Sequence, residues 1–134
     1  MSLLETCAGI AIVSGIIFFT APSLIRARDN YQLDQTTRQV AGQVQWTRIK
    51  AITRDQDCRL RLLTTASYTI ECQGSAWLAD ETIALPSGFQ MTASATPVFH
   101  RRGNAAPAAT ITIWDKHFNS KSVVVNITGR VRVQ

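Results

Sequence analysis

Hydrophobic and polar positions follow three different rhythms along this chain. From Thr6 to Ile25 there are twenty residues without a charged side chain, rich in Ile, Val, Leu and Phe. A helix rises about 1.5 Å per residue, so such a run is long enough to cross a hydrocarbon core of roughly 30 Å. A buried core helix is the soluble alternative, but an uncharged run of this length is rare in so small a domain. A cleaved secretory signal fits poorly, because no basic segment precedes the run and no small-residue cleavage site ends it. From Tyr31 to Arg54 the pattern becomes amphipathic. Leu33, Val40, Val44, Ile49 and Ile52 recur at helical spacing, and Gly42 is the single Gly or Pro. The economical reading is one helix from about Leu3 to Arg54, roughly 75–80 Å long. Pro22 lies inside it and removes a backbone donor, which predicts a kink or local melting.

After Asp57 the period falls to two. Cys58, Leu60 and Leu62 alternate with Arg59 and Arg61; Tyr68, Ile70 and Cys72 alternate with Thr69 and Glu71. This predicts a hairpin in which Leu62 faces Tyr68, Leu60 faces Ile70 and Cys58 faces Cys72. That register buries each apolar side chain and aligns two cysteines for a disulfide, two free buried thiols being the alternative. Further strands are expected at Glu81–Leu85, Phe89–Ala93, Pro97–His100, Thr110–Trp114, Ser122–Ile127 and Arg130–Val133, with a loop over Gly103–Ala109. The fold class is therefore α+β: a long N-terminal helix packed on antiparallel strands. Residues 1–29 form the membrane half of the helix, and residues 30–134 form a globular domain.

Composition changes this picture in one respect. The domain from Asn30 onward has twelve Lys and Arg against seven Asp and Glu, so it holds the chain's formal charge of +5. A polyanion is a plausible partner for such a surface. The signs near the membrane conflict. Arg26 and Arg28 follow the apolar run, and the positive-inside rule would put that side in the cytoplasm. The Cys58 and Cys72 pair instead suits an oxidising compartment.

No enzyme signature is present: there is no nucleophile elbow, no phosphate-cradling glycine loop and no paired acidic motif. His100 and His117 lack metal-ligand spacing, and no cofactor is implied. Trp46, Trp77 and Trp114 suit a core or an interface better than a base-stacking platform.

The N-terminus Met1-Ser2-Leu3-Leu4-Glu5, followed by the apolar run and Pro22, resembles the mature N-terminus of type IV pilins and type II secretion pseudopilins. Those proteins carry glutamate at the fifth mature position and commonly proline at the twenty-second. Met1 stands where phenylalanine is usual, and the chain reads as starting at the processed end. The stretch Val40–Arg54 is similar to the helix end of the GspH/FimT family, with Thr47 in place of a more usual alanine. Val123–Arg132 is similar to that family's closing strand and its Gly-Arg-x-Arg motif, here Gly129-Arg130-Val131-Arg132.

The resemblance implies a non-catalytic subunit inserted with its N-terminus toward the cytoplasm. Its domain would lie in the periplasm and later in a filament with other pilin subunits. It implies that Glu5 pairs with a neighbour's N-terminal amine, with Met1 and Pro22 sharing in filament assembly. In the FimT branch the motif of Gly129, Arg130 and Arg132 is associated with binding DNA during uptake. Arg130 and Arg132 are two apart and so share a side of a strand, with Val131 and Val133 facing the core. Solvated arginines guarding an edge strand are the plainer alternative. The expected function is that of a FimT-like minor pilin. A GspH-like minor pseudopilin of a type II secretion system is the alternative, and a membrane-anchored binding domain outside any filament is a second.

Overall fold

The computed structural model describes residues 2–134. Helix α1 runs from Leu3 to Arg54, followed by nine strands: β1 (Cys58–Thr64), β2 (Ser67–Gln73), β3 (Trp77–Ala84), β4 (Gln90–Ala93), β5 (Val98–Phe99), β6 (Ala105–Ala106), β7 (Ala109–Trp114), β8 (Ser120–Val125) and β9 (Val131–Val133). The chain divides into two compact units, Met1–Gln32 and Leu33–Gln134.

In the first unit the helix has no burial of its own. Ile10, Phe18, Phe19 and Leu24 are all exposed, and the segment is long and apolar enough to cross a membrane. Helical structure continues through Pro22, so the expected local melting does not occur. One missing N–H leaves the neighbouring turns intact, as membrane helices tolerate.

In the second unit the helix meets two antiparallel sheets. One has the order β3-β2-β1-β5-β6 and the other β4-β7-β8-β9. The core gathers Leu33, Val40 and Val44 from α1, Leu60 and Tyr68 from β1 and β2, and Met91, Ile111, Ile113, Val123 and Val125 from the second sheet. The expected helix stripe is half right. Ile49 and Ile52 are about half exposed, while Thr36, Thr37, Thr47, Ala41 and Ala51 are buried. Threonine serves on this face because its hydroxyl has a partner inside the helix: Thr37 donates to the Leu33 carbonyl at 2.7 Å and Thr47 to the Gln43 carbonyl at 2.8 Å.

The hairpin has the register read from the period-two pattern: Leu62 opposite Tyr68, Leu60 opposite Ile70 and Cys58 opposite Cys72. The two cysteine sulfurs are joined. The expected loop over Gly103–Ala109 instead contains β6, which pairs Ala105 with Phe99 and Ala106 with Val98. The segment has no large side chain to signal a strand, and its pairing is bought by one neighbour only. The tryptophans are not core residues. Trp46 is 47% exposed, and Trp77 and Trp114 are half-buried.

Candidate functional site

The Gly-Arg-x-Arg motif sits where two tight turns press against each other. The first turn follows β5: the Gly103 N–H donates to the His100 carbonyl at 2.8 Å and the His100 N–H to the Asn104 carbonyl at 2.9 Å. The second follows β8: the Gly129 N–H donates to the Asn126 carbonyl at 2.8 Å and the Asn126 N–H to the Arg130 carbonyl at 2.9 Å. The Ala105 N–H donates to the Ile127 carbonyl at 2.9 Å and ties the two together. Gly129 has φ 77° and Gly103 φ 85°, a region that L side chains avoid. A Cβ on Gly129 would lie 1.9 Å from the Gly103 carbonyl oxygen. That same oxygen accepts a hydrogen bond from Arg48 Nε at 2.8 Å. Arg48, from α1, therefore clamps both turns.

Of the two turns that pack together, the first has exposed Arg101 and Arg102 and the second is followed by exposed Arg130. Sequence order alone did not place Arg101 and Arg102. Arg132 lies on β9 opposite Val124. Val131 opposes the buried Val125, and Arg130 precedes the strand. Val133 is 38% exposed, so the expected core position is realised at Val131 more than at Val133.

Other basic residues are used elsewhere. Lys121 pairs with Asp34 of α1, which also holds Arg38. Hydrogen bonds from Lys121 and Arg38 keep the Asp34 carboxyl below its ordinary pKa. Arg59 stacks on Trp77, 4.1 Å from its centroid, and binds Glu71 at 2.6 Å, with Arg61 at 3.7 Å from the same carboxylate. The single carboxylate of Glu71 offsets one of the two charges of this second arginine pair. Lys50 and Arg54 bind Asp80 of β3, and the Lys50 hydrogen bond leads in holding that carboxyl low.

At the other end of the chain, the Ser2 carbonyl accepts hydrogen bonds from the N–H groups of Glu5 at 3.0 Å and Thr6 at 3.4 Å. Glu5 is exposed in the first turn of α1, where the helix dipole favours a negative charge. Met1 lies outside the described residues. Near Pro22, the residues Ser14, Ile17, Phe18, Ala21 and Ile25 line a shallow apolar groove. Among the described residues no three His, Cys, Asp or Glu gather as a metal site would need.

No family profile matches the chain, and no curated protein matches it. Solved structures do. The minor pseudopilin EpsH from the type 2 secretion system of Vibrio cholerae superposes with TM-score 0.67 at 15% identity, covering 77% of this chain and 96% of that one. The type IV minor pilin FimU of Pseudomonas aeruginosa superposes with TM-score 0.66 at 12% identity, covering 79% and 90%. The chain therefore has the GspH/FimT-like pilin fold: one long N-terminal helix, apolar enough to span a membrane, on antiparallel sheets.

Proposed function

We propose that this protein is a minor pilin-type subunit, held in a bacterial inner membrane by the first half of α1 and transferred with its domain outside into a filament. The observation that carries this reading is the helix itself. Its apolar half buries nothing within the chain, so lipid first and neighbouring subunits later are the surroundings that suit it. An acid at the lipid edge is costly without a partner. Glu5 meets one if a neighbour's N-terminal amine arrives during assembly. Glu5→Gln removes that charge pair and leaves the domain untouched. The variant should be folded and membrane-bound but reduced several-fold in sheared filaments, measured by immunoblot of the sheared and membrane fractions. Normal recovery in filaments would sink the pairing role. The same role in a type II secretion system is the alternative, and the assembly with which the subunit co-purifies separates the two.

A second reading, contact with DNA, is favoured by exposed Arg101, Arg102 and Arg130 at two turns that pack together, with exposed Arg132 on β9. Guanidinium groups suit phosphate oxygens. Replacing Arg130 and Arg132 together with alanine should weaken binding to all DNA sequences. It should also flatten the dependence of log K on log salt by roughly one to two units in a gel-shift titration. The Arg59 and Arg61 double variant removes the same formal charge from another surface and should weaken binding less, because both guanidiniums already share the Glu71 carboxylate. Equal losses in both double variants would reduce the effect to net charge and remove the motif as a site.

A further inference from the structure

Phe118 combines two features that do nothing for the fold. Its backbone is left-handed, with φ 64°, a conformation costly for a bulky residue. Its side chain is 90% exposed. The turn that imposes both is firmly held. The buried Asp115 carboxylate accepts hydrogen bonds from the N–H groups of His117 at 2.8 Å and Asn119 at 2.9 Å, and from the Asn119 amide at 2.9 Å. The Asp115 N–H donates to the Asn119 carbonyl at 3.0 Å. Backbone strain fixed this way concentrates at functional places. Beside the turn, half-buried Trp114 ends β7 opposite Gln90 of β4 and Ser120 of β8. Trp114, Phe118, Phe89, Gln90 and Lys116 line an open cleft of about 640 Å³. Aromatic side chains and the Gln90 amide thus line the same cleft.

The lining of the cleft has one cation, Lys116, and one acid, Asp115. From Thr82 to Gln134 the chain has six cations, Arg101, Arg102, Lys116, Lys121, Arg130 and Arg132, against one acid, Asp115, and of these Lys121 is paired with Asp34 of α1. Asp115 is buried and engaged within its own turn. No strand of the second sheet contains an acid. Alternation puts Trp114 on the outer face with Thr112 and Thr110, across from Ser122 and Val124. Arg132 is on that face because it opposes Val124, and exposed Arg130 precedes the strand. From Ser120 to Asn126 the sheet is about 20 Å long at 3.3–3.4 Å per residue.

We propose that the outer face of β4, β7, β8 and β9 is a track for single-stranded DNA. Arg130 and Arg132 meet phosphates at one end, and an unpaired base enters the cleft of Trp114 and Phe118 at the other. The inference rests on the DNA reading above and adds a selectivity that arginines alone lack. Phosphate contacts are shared by single and double strands. A base paired inside a duplex has no free face for the cleft, whereas an unpaired base stacks on an aromatic ring.

The full chain in detergent is titrated by fluorescence anisotropy with three labelled probes: a thymidine 20-mer, an abasic 20-mer with the same phosphates, and a 20-base-pair duplex. The wild type should bind the thymidine strand more tightly than the abasic strand. Trp114→Ala and Phe118→Gly should each lower thymidine-strand affinity by at least about fivefold, the effect of losing one stacked base. Glycine suits the left-handed backbone at 118, so the second variant removes the ring without straining the turn. Both variants should leave duplex and abasic affinities unchanged, whereas the Arg130 and Arg132 double variant should lower all three. Equal binding of thymidine and abasic strands, or equal losses on strand and duplex, overturns the track and leaves the arginine site standing. Failure to bind any probe overturns the DNA reading itself.

Discussion

A methyl group on Gly129 would sit 1.9 Å from the carbonyl oxygen of Gly103 and 2.9 Å from Arg48 Nε. Arg48 can swing away, but the Gly103 carbonyl is backbone and cannot. The left-handed φ adds its own penalty. Gly129→Ala should therefore cost at least about 2 kcal/mol, read as a lower midpoint in urea unfolding followed by circular dichroism. Arg130→Ala, at an exposed neighbour, should stay within about 0.5 kcal/mol of the wild type. A Gly129→Ala variant as stable as the wild type would mean that the two turns do not pack as described. The motif thus divides by kind: glycine shapes the platform and the arginines furnish its charge. Sequence alone gave the turn at Gly129 but not the close approach, because the opposing carbonyl belongs to a segment distant in sequence. Arg48 shows the same blindness. It was legible as part of a helix-end pattern, and its partner, a backbone oxygen, leaves no trace in side-chain chemistry.

Among the elements, those whose pattern is set by burial on one face were legible. The β1–β2 hairpin alternates strictly, so one register buries every apolar residue, and a slip of one residue would turn them all outward. Helix α1 was legible in extent but not in orientation. Threonine counts as polar in any periodic reading, yet Thr36, Thr37 and Thr47 are buried, and for Thr37 and Thr47 the helix lends the hydroxyl a carbonyl four residues back. Ile49 and Ile52 fall on the wrong side for the same reason: the eye follows the larger apolar residues. Strand β6 was missed because two alanines beside a proline carry no pattern, and its pairing with β5 is fixed by the chain around it. The position of Trp114 was likewise unreadable in isolation. Alternation along β7 puts it on the outer face, and only the β4 and β8 partners show that this face is free of acids.

For the whole molecule, the decisive boundary lies within a single helix. Within Ser2–Gln32 no residue is buried, and Leu33 is the first that is. Hydrophobic stabilisation scales with apolar area removed from water, so residues before Asn30 add almost none to the isolated chain. They do expose a large contiguous apolar surface, of a size that soluble monomers rarely carry. Two outcomes follow for a domain that begins at Asn30. It should keep its unfolding free energy within about 0.5 kcal/mol of the intact chain in detergent. It should also elute as a monomer without detergent, since the exposed apolar run has been removed. Size-exclusion chromatography with light scattering, beside urea unfolding of both forms, makes the comparison. A folded domain that still aggregates would locate a second sticky surface outside the apolar run, for which the half-exposed Trp46, Ile49 and Ile52 on α1 are the residues to replace first. A domain that loses its cooperative transition would show instead that the apolar half of the helix contributes to the core, and the separation of anchor from domain would fail.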